Sequence, residues 1–320
     1  MTVRFYSSSD ASAPVLRGNT PGDLINLLTK CLIDGYGSKT GAGWTKPYTG
    51  TNIAAFRQGA GSNGMYLRVD DTSTATGWRS ARVVGYETMS DVNTGAPVSF
   101  PQPDWFAGGA HWWTHAGSGS VANPRAWFVV ADEMFFWLFI NTYPENGDWN
   151  MHYNEQYCFG DIIPFKPGDS THTVLLATER TTGVTSETVL TGNSISDSVS
   201  AASIRMTVAR SYTQFGGPLR VGWHADHVKG SASWGQGNLS FPHAVDGGLY
   251  LSPVWVHEPN LSPFNVRGLM PGLWVPCHYN GILSQRQVFE GQGDLLGKTF
   301  WTRRSGTSTA CIEISNTWDR

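Results

Sequence analysis

Apolar residues recur at helical spacing in one stretch near the start of the chain, where Leu24, Leu27, Leu28, Cys31 and Leu32 fall on one face of a 3.6-residue period. Thr20 stands where an N-cap would, Pro21 at the first helical position, and Asp23 three residues after the cap, where its charge suits the dipole. Gly35 supplies a left-handed stop. The pattern predicts a helix over Pro21 to Asp34 that buries one face.

Almost everything after Gly35 reads as short strands punctuated by Gly, Pro, Asn and Asp. Met65 to Val69 alternates in character and Ala81 to Tyr86 resembles a second strand, so the two predict a hairpin joined through Asp70-Asp71. Trp127 to Ala131 and Met134 to Ile140 are continuous apolar runs on either side of Asp132-Glu133, which suits two strands buried on both faces with a turn between them. A buried helix is the alternative, because periodicity alone does not resolve an unbroken apolar run. Thr173 to Thr178, Ile204 to Ala209, Leu249 to Val256, Lys298 to Arg303 and Ala310 to Ile314 are further strand candidates.

The fold class this implies is mainly β: a β-sandwich or barrel-like assembly with one N-terminal amphipathic helix and long Gly/Pro-rich loops. Residues 1–179 hold the helix and the first part of the β core, and 248–320 its C-terminal part. Between them, the Ser/Thr/Gly-rich stretch 180–247 reads as a peripheral lobe or insertion.

Composition narrows the function. Only 15% of the 320 residues are charged and the formal net charge is −3, so no basic footprint exists for nucleic acid. The most apolar stretch, Trp127 to Tyr143, is broken by Asp132 and Glu133 and is shorter than the ~20 residues of a spanning helix, so no membrane span is expected. The opening MTVRFYSSSD lacks the pattern of a secretory signal. Cys31, Cys158, Cys277 and Cys311 are scattered without a CxxC pair, which predicts reduced, packed thiols in a chain made in a cytoplasm.

The candidate chemistry is thin. His111 and His115 are four apart but lack the Glu of HExxH and stand among Gly108, Gly109, Gly117 and Gly119, which points to an exposed aromatic loop rather than a metal site. His224, Asp226 and His227 are the strongest metal challenger, yet on a strand the two imidazoles face opposite sides. Asp70-Asp71, Gly160-Asp161 and Gly168-Asp169 have the composition of turns, and nothing in the spacing pairs them across a cleft. No GxSxG elbow is present, and Gly59 to Gly64 matches GxGxxG only in letters, because a strand follows it. No cofactor and no metal are expected, and the chain is read as not an enzyme.

Trp105, Trp112, Trp113, Trp149, Trp223 and Trp234 sit in glycine-rich or polar surroundings, where large indoles favour contact with a partner or a sugar. Of these, Trp112, Trp113, Trp223 and Trp234 are the candidate protein or glycan contacts. Core packing is the alternative for Trp112 and Trp113.

Several segments in one order resemble a family of tailed-bacteriophage virion structural proteins. They are Asp34-Gly-Tyr-Gly-Ser-Lys39 with Gly43-Trp44, Tyr66-Leu-Arg-Val-Asp-Asp71, and Gly85-Tyr-Glu-Thr-Met-Ser-Asp-Val92 leading to Phe100-Pro101. Further on come Phe159-Gly-Asp-Ile162, Leu251-Ser-Pro-Val-Trp-Val256, Arg267-Gly-Leu-Met-Pro-Gly-Leu-Trp274 and Leu296-Gly-Lys-Thr-Phe300. The stretch around 180–247 departs from the pattern. The resemblance implies assembly into a particle, at a tail tip or baseplate first and as capsid decoration second, and it supplies no active site. The partners it implies are other virion proteins and further copies of the chain, with a host surface glycan as the alternative for a recognition module. The implied location is the virion, assembled in a host cytoplasm.

Overall fold

A computed structural model describes residues 1–75, 79–102, 109–115, 122–142, 154–179, 206–225, 239–258, 265–278, 282–305, 308–315 and 317–318. The first strands are β1 (Arg4–Ser7), β2 (Thr45–Gly50), β3 (Ile53–Arg57), β4 (Tyr66–Asp70), β5 (Arg79–Asp91), β6 (Thr94–Phe100) and β7 (Ala110–His115). Next come β8 (Trp127–Ala131), β9 (Phe135–Asn141), β10 (Asn154–Asp161), β11 (Ile163–Pro164), β12 (Thr173–Leu176) and β13 (Thr178–Glu179). The rest are β14 (Met206–Val208), β15 (Leu219–Ala225), β16 (Leu251–Glu258), β17 (Asn265–Pro276), β18 (Val288–Glu290), β19 (Thr299–Ser305) and β20 (Ser308–Glu313). Among the described residues the fold is mainly β: two antiparallel sheets and one short helix.

The larger sheet runs β1-β8-β9-β10-β12-β14-β15-β16-β17-β20-β19-β18, with β11 beside β17. The smaller runs β13-β7-β5-β4-β3-β2, with β6 beside β5. The two share one core because β9 and β10 are covered on both faces. Phe136, Leu138, Ile140, Tyr157 and Phe159 join Trp44, Trp112 and the helix in one cluster, while Phe135, Trp137, Phe139 and Cys158 join Val256, Leu273 and Ile312 in another. Residues i and i+2 of each strand thus serve one core and their neighbours the other. This explains the unbroken apolar run at Met134 to Ile140, since a strand with no wet face has no position for a polar residue.

The larger sheet curls so that its ends meet through side chains: Trp301 on β19 lies 5.7 Å from Phe5 on β1 and 4.8 Å from Phe128 on β8. Among the described residues no strand pairing joins those ends, so the sheet does not close into a barrel.

The hairpin predicted around Asp132-Glu133 is present, with Trp127 opposite Ile140 and Ala131 opposite Phe136. Asp132 Oδ1 accepts from the backbone N–H groups of Met134 and Phe135, each at 2.8 Å, which turns the chain. The hairpin of β4 and β5 is also formed, Asp70 opposite Arg82. Of the stretch 180–247, residues 180–205 and 226–238 lie outside the described residues, and the described part contributes β14 and β15 to the larger sheet between β12 and β16.

The helix is shorter than its pattern. It runs as α1 (Asp23–Thr29) and widens into a π turn over Lys30–Asp34, closed by Gly35 N–H donating to Lys30 O. Leu24, Leu27, Leu28, Cys31 and Leu32 are all fully buried, as the periodicity predicts. The cap differs from the expectation at Thr20. Gly22 takes the N-cap position at φ 87°, a left-handed conformation, with no side-chain cap of its own. The carboxylate that meets the free N–H groups comes from Asp71, at the end of β4: its Oδ2 accepts from Gly22 at 2.9 Å and Leu24 at 3.1 Å.

Candidate functional site

At one end of β16 and β17 the chain forms a cleft of about 280 Å3, lined by Lys166, Tyr212, Glu258, Asn265, Val266 and Arg267. The pairing of β16 with β17 sets Glu258 opposite Asn265. Lys166 follows β11, which is held to β17 by Pro164 opposite Gly268 and by Phe165 N–H donating to Arg267 O. Tyr212 belongs to the turn between β14 and β15. That turn is anchored by Arg210, whose guanidinium holds both oxygens of Glu87 on β5.

Arg267 organises the floor. It is buried, and it donates from Nε and Nη2 to Asp169 at 2.9 and 3.0 Å, from Nη2 to Thr171 at 3.0 Å, and from Nη1 to Arg210 O at 2.7 Å and Glu258 Oε1 at 3.1 Å. All five of its N–H groups are therefore engaged. A buried guanidinium needs this, because an uncompensated charge costs several kcal/mol, roughly 3–5. Burial raises the Asp169 carboxyl, but the hydrogen bonds and charge of Arg267 outweigh it and hold the group below the usual carboxylate range. Glu258 goes the other way: burial lifts it more than Arg267 and the Tyr212 N–H lower it.

Glu258 Oε1 also accepts from Tyr212 N at 2.8 Å, whereas its Oε2 carries no hydrogen bond. Lys166 Nζ donates to Tyr212 O at 2.8 Å and lies 5.8 Å from that ring's centroid. Val266 in the lining is 45% exposed, and the segments that supply the lining carry exposed rings of their own: Phe165, next to Lys166, at 54% and Phe215, on the turn that carries Tyr212, at 80%. The arrangement offers fixed donors and acceptors beside aromatic surface, which is the chemistry of recognition.

The residues singled out from sequence lie elsewhere. Trp112 and Trp113 do not form an exposed loop; they are in β7, a strand whose six residues are all buried. The Trp112 indole stacks on Tyr157 at 5.4 Å, meets Phe136 edge-on at 5.9 Å and donates to Leu176 O at 2.8 Å. Trp113 is 3% exposed, and its backbone N–H donates to the Tyr157 hydroxyl at 2.6 Å. Polar residues in β7 misled the reading because their partners are remote: His111 meets Ser80 and Thr114 meets Arg79. Trp223 and His224 are on β15, opposite Val256 and Trp255. Trp105, Trp149, Trp234, Asp226 and His227 lie outside the described residues.

The aspartates do not converge. Asp71 is fully buried against Arg79 and the helix start. Burial pushes its carboxyl up to about 6, against the pull of Arg79 and the two backbone N–H groups. Asp161, also buried, accepts from Gln58 Nε2 at 2.7 Å, Asn63 N at 2.7 Å and Thr173 Oγ1. The Gly59 to Gly64 loop is thereby pinned to β10. Among the described residues no group of three His, Cys, Asp or Glu has the proximity of a metal site. Among the described residues no helix is long and apolar enough to cross a membrane.

Sequence reasoning passed over Glu258 and Arg267. The signal was there: in a chain with few charges, a charged residue at each neighbouring end of two apolar strands marks a buried pair. No family model matches the chain, and no curated protein matches it.

Proposed function

We propose that the chain is a non-enzymatic structural component of a tailed-phage particle, at the tail tip or baseplate, assembling as a homo-oligomer and against other virion proteins. The observation that carries this reading is the free end of the larger sheet. Strand β18 pairs with β19 alone among the described residues, and the hairpin they form holds Val288 at 55% and Leu296 at 80% exposure. An uncovered strand edge beside exposed apolar groups is a template for another chain, and an isolated protomer gains nothing from it.

Three buried aspartates fit the non-enzymatic part. Asp71, Asp161 and Asp169 each tie separate segments together and are engaged on both oxygens. A general acid or a nucleophile needs an oxygen turned to substrate.

A density map of intact particles tests the proposal: several copies of this chain at the tail tip support it, and particles that lack the chain refute it. In solution, Val288→Asp with Leu296→Asp should leave the melting temperature unchanged and shift sedimentation to the protomer. If wild type itself sediments as a protomer at every concentration, self-assembly through this edge is wrong.

A further inference from the structure

The cleft at the ends of β16 and β17 has no part in the assembly role proposed above. We infer that it binds a neutral sugar residue through adjacent hydroxyl groups. The inference is independent of the particle reading, since it concerns a different surface and a different ligand.

Its first support is Glu258. This side chain is 2% exposed, lines the cleft, and spends only Oε1 on the chain, leaving Oε2 without a hydrogen bond. Although the side chain is buried, that oxygen is open to the cleft, so a ligand donor can take the place of its water. Around it the cleft offers further polar atoms that the fold does not use. The Asn265 amide and the Tyr212 hydroxyl have no hydrogen bond, and Lys166 Nζ, with one bond to Tyr212 O, retains two donors. Acceptors and donors are thus mixed at close quarters, and a ligand that satisfies both sets must itself carry both. Hydroxyl groups do so.

Charge selects a neutral ligand. Arg267 is paired with Glu258 in the lining and with Asp169 behind it, and Lys166 offsets the second carboxylate, so the cleft carries no net charge to attract an ion of either sign. Shape and apolarity agree. At about 280 Å3 the cleft is just below the ~300–1,000 Å3 usual for small-molecule sites, which suits one sugar ring. The exposed side chain of Val266 and the Tyr212 ring in the lining offer apolar surface to the C–H side of such a ring.

Saturation-transfer NMR on the full chain tests this, using methyl glycosides of neutral hexoses and N-acetylhexosamines with N-acetylneuraminic acid as an acidic comparison. At least one neutral glycoside should receive saturation. Asn265→Ala and Tyr212→Phe should each weaken that binding several-fold, and together by about tenfold, the value of one or two lost hydrogen bonds. The melting temperature should hold, because neither side chain touches the Arg267 network. Should the double variant melt early, Val266→Ser alters only an exposed side chain of the lining and should weaken binding by itself. The inference is overturned if no neutral glycoside binds, if only the acidic sugar does, or if folded variants bind like wild type.

Discussion

The carboxylate of Asp71 caps a helix it does not belong to: its Oδ2 lies 2.9 Å from the backbone nitrogen of Gly22, 49 residues earlier in the chain. Its other oxygen takes the Arg79 guanidinium, which also donates to Thr114 on β7 at 2.9 Å. One buried side chain thus fixes where the helix begins and how it sits on the smaller sheet. Replacing it with Ala removes the cap and strands a buried cation, so Asp71→Ala should cost about 3–5 kcal/mol in urea denaturation. A loss below about 1 kcal/mol would mean that neither contact stabilises the fold.

Leu28→Asp should be as damaging for a different reason. Leu28 is fully buried on the helix face turned to the core, and an aspartate there meets no cation or donor in the apolar cluster. Burying that unpaired charge costs several kcal/mol. A thermal melt matching wild type would show the helix face is not held in the core.

Trp112→Ala should unfold the protomer rather than release a partner. The indole is 0% exposed and bridges the two sheets through Tyr157 and Phe136. Its truncation leaves a large cavity and removes the hydrogen bond to the Leu176 carbonyl, together about 3–5 kcal/mol. Circular dichroism of the isolated variant checks this; a native spectrum and melt with failed assembly would instead place Trp112 at a contact.

His115 makes stability depend on pH. It is fully buried, and Arg125 Nη2 lies 2.6 Å from its Nδ1. Burial, then the Arg125 charge, drive the imidazole down to about 4. Between the usual value near 6.5 and that folded value, the unfolded chain takes up a proton that the folded chain refuses, so stability falls as pH falls through this window. Denaturation midpoints measured from pH 7 to 4 should decline more steeply in wild type than in His115→Asn. Parallel profiles would show that His115 titrates alike in both states.

Chelation is expected to change nothing. EDTA should leave the melting temperature where it was, since none of the described His, Cys, Asp and Glu residues cluster as ligands. A drop on EDTA, or stoichiometric metal by elemental analysis, would redirect attention to His224 and its neighbours.

What the sequence disclosed depended on how local the determinant was. The β8–β9 hairpin is legible because its turn signal, Asp132, bonds two and three residues ahead. The helix body is legible in its period, but its start is not, since Asp71 arrives from the far end of a later strand. Strand β7 was hidden by polar side chains whose partners are 31 and 35 residues away. The cleft is the least local element: its wall is assembled from positions 166, 212, 258 and 265–267, and no window of sequence contains it.

The four cysteines carry a practical consequence. All are buried, and for Cys31, Cys158 and Cys311 burial pushes the thiol well above its ordinary value. Since only the thiolate attacks an electrophile or a disulfide, the native chain presents oxidants and alkylating reagents with no ready nucleophile at these three positions. Covalent labelling therefore becomes a clock for opening. Cys31 reports on the helix, Cys158 on the strand shared by both cores, and Cys311 on the last hairpin, each becoming modified only when its own part of the structure comes apart.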